Sequence, residues 1–196
     1  MRMKTWETAL LIAVALAITV SAVFTEQQRG LSQKLIRLRV VGNSDSAEDQ
    51  EAKLKVRDAV CEETSALLAG AESRAEAERR IAENLPLIGQ AADEAAKRAG
   101  QTGAAAELVR ESFPTRDYGT FALPAGEYLS LRVTVGEGAG KNWWCVIFPA
   151  LCDGAAIGGS VSAASLTDSE SAFLTSGYTV RFRVLDILEE LKSIFR

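Results

Sequence analysis

Hydrophobic and polar residues alternate along three stretches of the chain, and each stretch predicts a strand. In Leu35–Val41, Ile36, Leu38 and Val40 share one face, with Arg37 and Arg39 on the other. Leu129, Leu131, Val133 and Val135 alternate with Ser130, Arg132 and Thr134. Tyr178, Val180, Phe182 and Val184 alternate with Thr179, Arg181 and Arg183. The run Trp143–Phe148 has no such alternation, so as a strand it must be covered on both faces. It comes after a glycine-rich stretch, and with the strand before it predicts a hairpin whose loop is Gly136–Asn142. Ala106–Phe113 offers a further strand.

Helical patterns fill the interval after the first strand. Ser46 followed by Asp49 is an N-cap signature, predicting a helix over Ala47–Leu68. Ala52, Val56, Ala59, Val60 and Leu67 form one apolar stripe, and Leu54, Cys61 and Leu68 an opposed one, so this helix is expected to be covered on two sides. Glu72–Asn84 is rich in alanine and charge. Pro86, tolerated in a first turn, opens a third helix to Ala99. Pro114–Gly126 reads as a turn-rich connection, and a last helix closes the chain at Ile194. The order predicts an α+β fold, an antiparallel-rich sheet with a helical layer. Arg37, Arg39, Arg132, Arg181 and Arg183 would give that sheet one basic face, solvated and paired with glutamates of the helices.

The N-terminus changes this picture. Arg2 and Lys4 precede Ala9–Phe24, where only Thr19 and Ser21 are polar. As a helix this segment spans about 24 Å, short of the ~30 Å hydrocarbon layer. It predicts a signal peptide or a signal-anchor helix over residues 1–24, with everything after about Thr25 exported. Residues 25–34 then form a linker and 35–196 a single domain, with 153–176 a flexible insertion. Export also gives the cysteines meaning. An oxidising compartment permits a bond between Cys145 and Cys152; two buried thiols are the other reading.

Composition mainly excludes. The 196 residues carry a net charge of −4, which does not point to nucleic acid. The chain has no histidine, which removes Ser-His and Cys-His nucleophile pairs and nearly all ordinary zinc sites. Gly-Ala-Gly-Lys-Asn at 138–142 looks like a phosphate cradle, but Val135 and Asn142 stand where a P-loop needs glycine and Ser or Thr.

Leu35–Val60 (LIRLRVVGNSDSAEDQEAKLKVRDAV), Phe113–Tyr128 (FPTRDYGTFALPAGEY) and Gly136–Cys152 (GEGAGKNWWCVIFPALC) together resemble the stage II sporulation protein R family of endospore-forming bacteria. Ala150 departs from the second proline usual there. The resemblance implies a signalling protein rather than an enzyme, exported across the forespore membrane into the intermembrane space and secreted or membrane-anchored there. Its partner would be a membrane-embedded aspartic protease that processes the mother-cell pro-sigma-E factor. No cofactor, metal, catalytic residue or small-molecule substrate is implied. The candidate partner-binding residues are Asn43, Asp45 and Asp49 after the first strand, with Lys141, Asn142 and Trp143 at the glycine loop, whose tip would hold Lys141 and Asn142. The alternative is an envelope hydrolase pairing carboxylates among Asp45, Glu48, Asp49, Glu127 and Glu137. The Asn43–Glu51 cluster lacks the spacing of a calcium loop.

Overall fold

Residues 30–118 and 122–149 are described by the structure, a computed structural model. Their elements run β1 (Ile36–Val41), α1 (Ala47–Leu68), α2 (Arg74–Glu83), α3 (Leu85–Arg98), β2 (Ala104–Phe113), β3 (Arg116–Asp117), β4 (Ala122–Leu123), β5 (Gly126–Val135) and β6 (Asn142–Phe148). The expected export segment, the insertion, Cys152, Arg181 and Arg183, the last strand and the last helix lie outside the described residues. Among the described residues, no helix is long and apolar enough to cross a membrane.

The main sheet has the order β2-β5-β1-β6, and β3 and β4 pair apart from it. β1 runs parallel to β5 and antiparallel to β6, while β2 runs antiparallel to β5. The fold is α+β as expected, but its sheet is mixed. The expected β5–β6 hairpin does not form, because β1 lies between the two strands. Leu38 is in register with Leu131 on one side and Cys145 on the other. Side-chain alternation fixes which face a residue takes, but not which strand lies beside it.

Ser46 caps α1, its hydroxyl accepting from the Asp49 amide. Ala52, Val56, Val60, Thr64 and Leu68 are buried at four-residue intervals, so α1 buries one broad face rather than two opposed stripes. Cys61 and Leu67 flank that face, half-buried against the same core. Ile88, Ala92, Ala95 and Ala96 form the buried side of α3, whose small residues permit close approach.

The sheet separates two clusters. On the helical side, Ile36, Leu38, Val40, Leu131, Val133, Cys145 and Ile147 meet Val56, Val60, Ile81 and Ile88. On the other, Leu31, Leu35, Phe113, Leu123, Tyr128 and Val146 pack together. The unbroken apolar run of β6 therefore serves both cores, as its lack of alternation requires.

Arg37, Arg39 and Arg132 do share the second face, but their surroundings differ from the expected solvated one. Arg37 is fully buried. Arg39 and Arg132 pair with the sheet's own carboxylates: Arg39 with Glu111 at 2.7 Å, Arg132 with Glu107 at 2.7 Å and Glu111 at 3.5 Å. Register explains the difference, since Glu107 on β2 stands opposite Arg132 on β5, which stands opposite Arg39 on β1.

Leu38→Ala would open a cavity where sheet and helices meet. It should cost about 2–5 kcal/mol in denaturant unfolding, with the slope unchanged.

Candidate functional site

The position of β1 dictates the path of the chain between β5 and β6. To join these two strands, residues 136–141 must cross the end of β1, a step of two strand spacings or about 10 Å. That path runs directly over the Gly42–Ser46 turn connecting β1 to α1, and the two segments interlock. The Ala139 amide donates to the Asn43 carbonyl at 3.0 Å and the Gly140 amide to the Gly42 carbonyl at 2.8 Å. The Glu137 amide donates to Asn43 Oδ1 at 2.9 Å, and the Lys141 amide to Asp45 Oδ1 at 2.7 Å.

Glycine is required here for two reasons. Gly136 and Gly138 have φ of +54° and +63°, in the left-handed region. At Gly140 the reason is space, because a Cβ would overlap the carbonyl oxygens of Ser44 and Gly42. In the stretch that looks like a phosphate cradle, the amides of Ala139, Gly140 and Lys141 are spent on the neighbouring turn.

Asp49 holds the turn from beneath. Its carboxylate accepts from Asn43 Nδ2 at 2.8 Å, Ser44 Oγ at 2.6 Å and Gln101 Nε2 at 2.8 Å. The Ser44 bond, then those from Gln101 and Asn43, holds its pKa below the usual carboxylate range. Lys53 fastens the other side. It is buried, and its Nζ donates to the Lys141 carbonyl at 3.1 Å. Burial lowers its pKa, Lys141 and Arg57 add to the shift, and Asp45 opposes it.

The candidate residues thus divide by role. Asn43 and Asp49 are spent inside the turn. Asp45, Lys141 and Trp143 face outward: Lys141 Nζ lies 3.9 Å from Asp45 Oδ2, and Trp143 is 37% exposed with the Arg57 guanidinium 4.4 Å from its ring centroid. Asn142 is on the opposite face of the sheet, accepting from Arg39 Nε at 2.9 Å. Lys141 and Asn142 form the exit of the loop into β6, not its tip. Trp144, also on that opposite face, packs edge-on to Phe113 with 4.8 Å between centroids.

Ser44, Lys53, Arg57 and Gln101 are not among the residues the sequence points to, nor is Gln50, whose Nε2 donates to the Ser44 carbonyl at 2.7 Å. Lys53 had a legible signal, since it sits three residues before Val56 on the apolar stripe of α1. Gln101 had none, because its contact with Asp49 depends on how α3 ends.

The carboxylates of the hydrolase reading do not assemble as a set. Glu127 begins β5 and accepts from Ser112, while Glu137 lies beyond the other end of that ten-residue strand, about 30 Å away. Cys145 is disulfide-bonded and Cys61 carries a thiol; Cys152 lies outside the described residues.

A family model described as Stage II sporulation protein R matches residues 32–156. Stage II sporulation protein R of Bacillus subtilis (strain 168) is 42% identical over 123 residues, which cover 62% of this chain. The same alignment covers 55% of that relative, so the chain spans about half its length. No solved structure matches the chain.

Gly140→Ala should cost about 1–3 kcal/mol by forcing the two segments apart. A carboxyl with a lowered pKa stabilises the fold above its unfolded pKa of about 4, and that stability is lost as pH falls through the folded value. Protection of the Gly140 and Lys141 amides, measured against their intrinsic exchange rates, should therefore fall below about pH 4 in the wild type. Asp49→Asn should exchange faster at neutral pH and lose much of this acid step.

Proposed function

Because the chain belongs to the stage II sporulation protein R family, we propose that it is an exported signal that switches on a membrane-embedded aspartic protease. Family membership gives the chain a role in sporulation. In the proposed role it crosses the forespore membrane by its N-terminal segment and meets the protease from the intermembrane space. The protease then processes the mother-cell pro-sigma-E factor. The chain contributes binding and no catalytic step.

The observation that carries this reading is Trp143, a large exposed aromatic residue on a hydrogen-bonded strand of the main sheet. Its backbone pairs with Val40 in the centre of the sheet, Arg57 lies against its ring, and the interlocked turn lies just beyond. An aromatic residue already held in one position loses little entropy on binding and is a frequent anchor of interfaces. Asp45 and Lys141 supply a charged rim of both signs. To act as a switch, this surface must bind the active protease more tightly than the idle one.

Trp143→Ala should lower pro-sigma-E processing in sporulating cells by tenfold or more, the loss expected of an anchor worth about 2 kcal/mol. Melting of the purified variant should move little, by the equivalent of about 1 kcal/mol at most. Normal processing by a folded Trp143→Ala protein would remove this surface from the contact.

A further inference from the structure

Arg37 is the largest fully buried side chain among the described residues. Its Nη2 donates to the Tyr118 hydroxyl at 2.8 Å, while Nε and Nη1 have no hydrogen-bond partner. The guanidinium carbon lies 4.0 Å from the Phe113 ring centroid and 4.9 Å from that of Tyr128. The two ring centroids are 5.7 Å apart, so they lie in nearly perpendicular directions from the guanidinium carbon, and a polar partner must approach on the sides that the rings leave open. Ser130, in register with Arg37 on β5, is fully buried and its Oγ is also unpaired. Unmatched donors thus stand side by side on neighbouring strands.

The charges around them are unbalanced. Glu107 and Glu111 are the carboxylates of this layer: Glu107 pairs with Arg132, and Glu111 Oε2 is shared by Arg39 and Arg132, while Glu111 Oε1 is buried without a partner. Arg37 is left without an ion pair to any described carboxylate. Burial lowers its pKa, Tyr118 and Tyr128 oppose that shift, and the nearby Arg116 adds to it. A buried cation with neither counter-charge nor full hydrogen bonding is costly, and a bound ion is one way such a group is satisfied.

We infer that Arg37 and Ser130 form a buried site for a small monovalent anion of the halide or carboxylate class. The anion would supply the counter-charge that the sheet lacks and accept from donors that the protein leaves open. Guanidinium N–H groups suit either shape, and a carboxylate can engage two of them at once.

The test is thermal melting of the full-length protein in neutral detergent, titrated with sodium chloride or sodium formate. Sodium gluconate, too bulky for a closed site, holds the ionic strength constant. Saturable stabilisation by chloride alone identifies a halide site, and by formate alone a carboxylate site. Ser130→Ala should raise the half-saturating concentration roughly tenfold, and Arg37→Met should abolish the effect. If Arg37→Met does not fold, the Ser130→Ala titration decides. Equal melting in all three salts, or a response unchanged in Ser130→Ala, overturns the site.

Discussion

β1 occupies the slot between β5 and β6, and most of what distinguishes this fold depends on that placement. A central strand hydrogen-bonds along both edges, which joins the β2–β5 pair to β6 through a strand far away in sequence. It also forces residues 136–141 to cross the end of β1 and the turn leading into α1. Gly136, Gly138 and Gly140 are therefore the local consequence of a topological constraint. Lys53 on α1 then ties the first helix to the loop that launches the last described strand, and Asp49 on the same helix holds the turn that the loop crosses.

The same placement gives the sheet two unlike faces. One packs aliphatic side chains against the helices in the ordinary way. The other carries arginines among aromatic rings, with Glu107 and Glu111 on β2 as counter-charges. Such a layer is stable only where each charge finds a partner, and Arg39 illustrates this with Glu111, Asn142 and the Trp144 ring around it. Arg37, one pleat further in, is the member for which the described protein supplies too little.

Much of this was legible in the sequence, and the failures have a common cause. Strand alternation placed Leu38 and Arg39 on their correct faces, and Ser46 with Asp49 marked the start of α1. Pairing between strands, however, is a long-range property that the period of two does not encode. β5 and β6, separated by a glycine loop, look like a hairpin until β1 is placed between them. The partners of the arginines were misassigned for the same reason, since Glu107 meets Arg132 only once β2 is set against β5. At the candidate site the sequence found the two segments that meet, but not which side chains hold the junction and which face outward. Asn43 and Asp49, chosen for their chemistry, belong to the junction. Trp143 could not be told from Trp144, because an unbroken apolar run does not show which face lacks a cover.

The functional account therefore reduces to a surface: Trp143 on its base beside α1, with the interlocked turn holding it in place. The most direct measurement is site-specific photo-crosslinking in sporulating cells. A photoreactive residue is placed at Trp143 or, for comparison, at Leu87, the other exposed large hydrophobic among the described residues. The account predicts a crosslink to the membrane-embedded protease from position 143 and none from position 87. A protease crosslink from position 87 alone would contradict it.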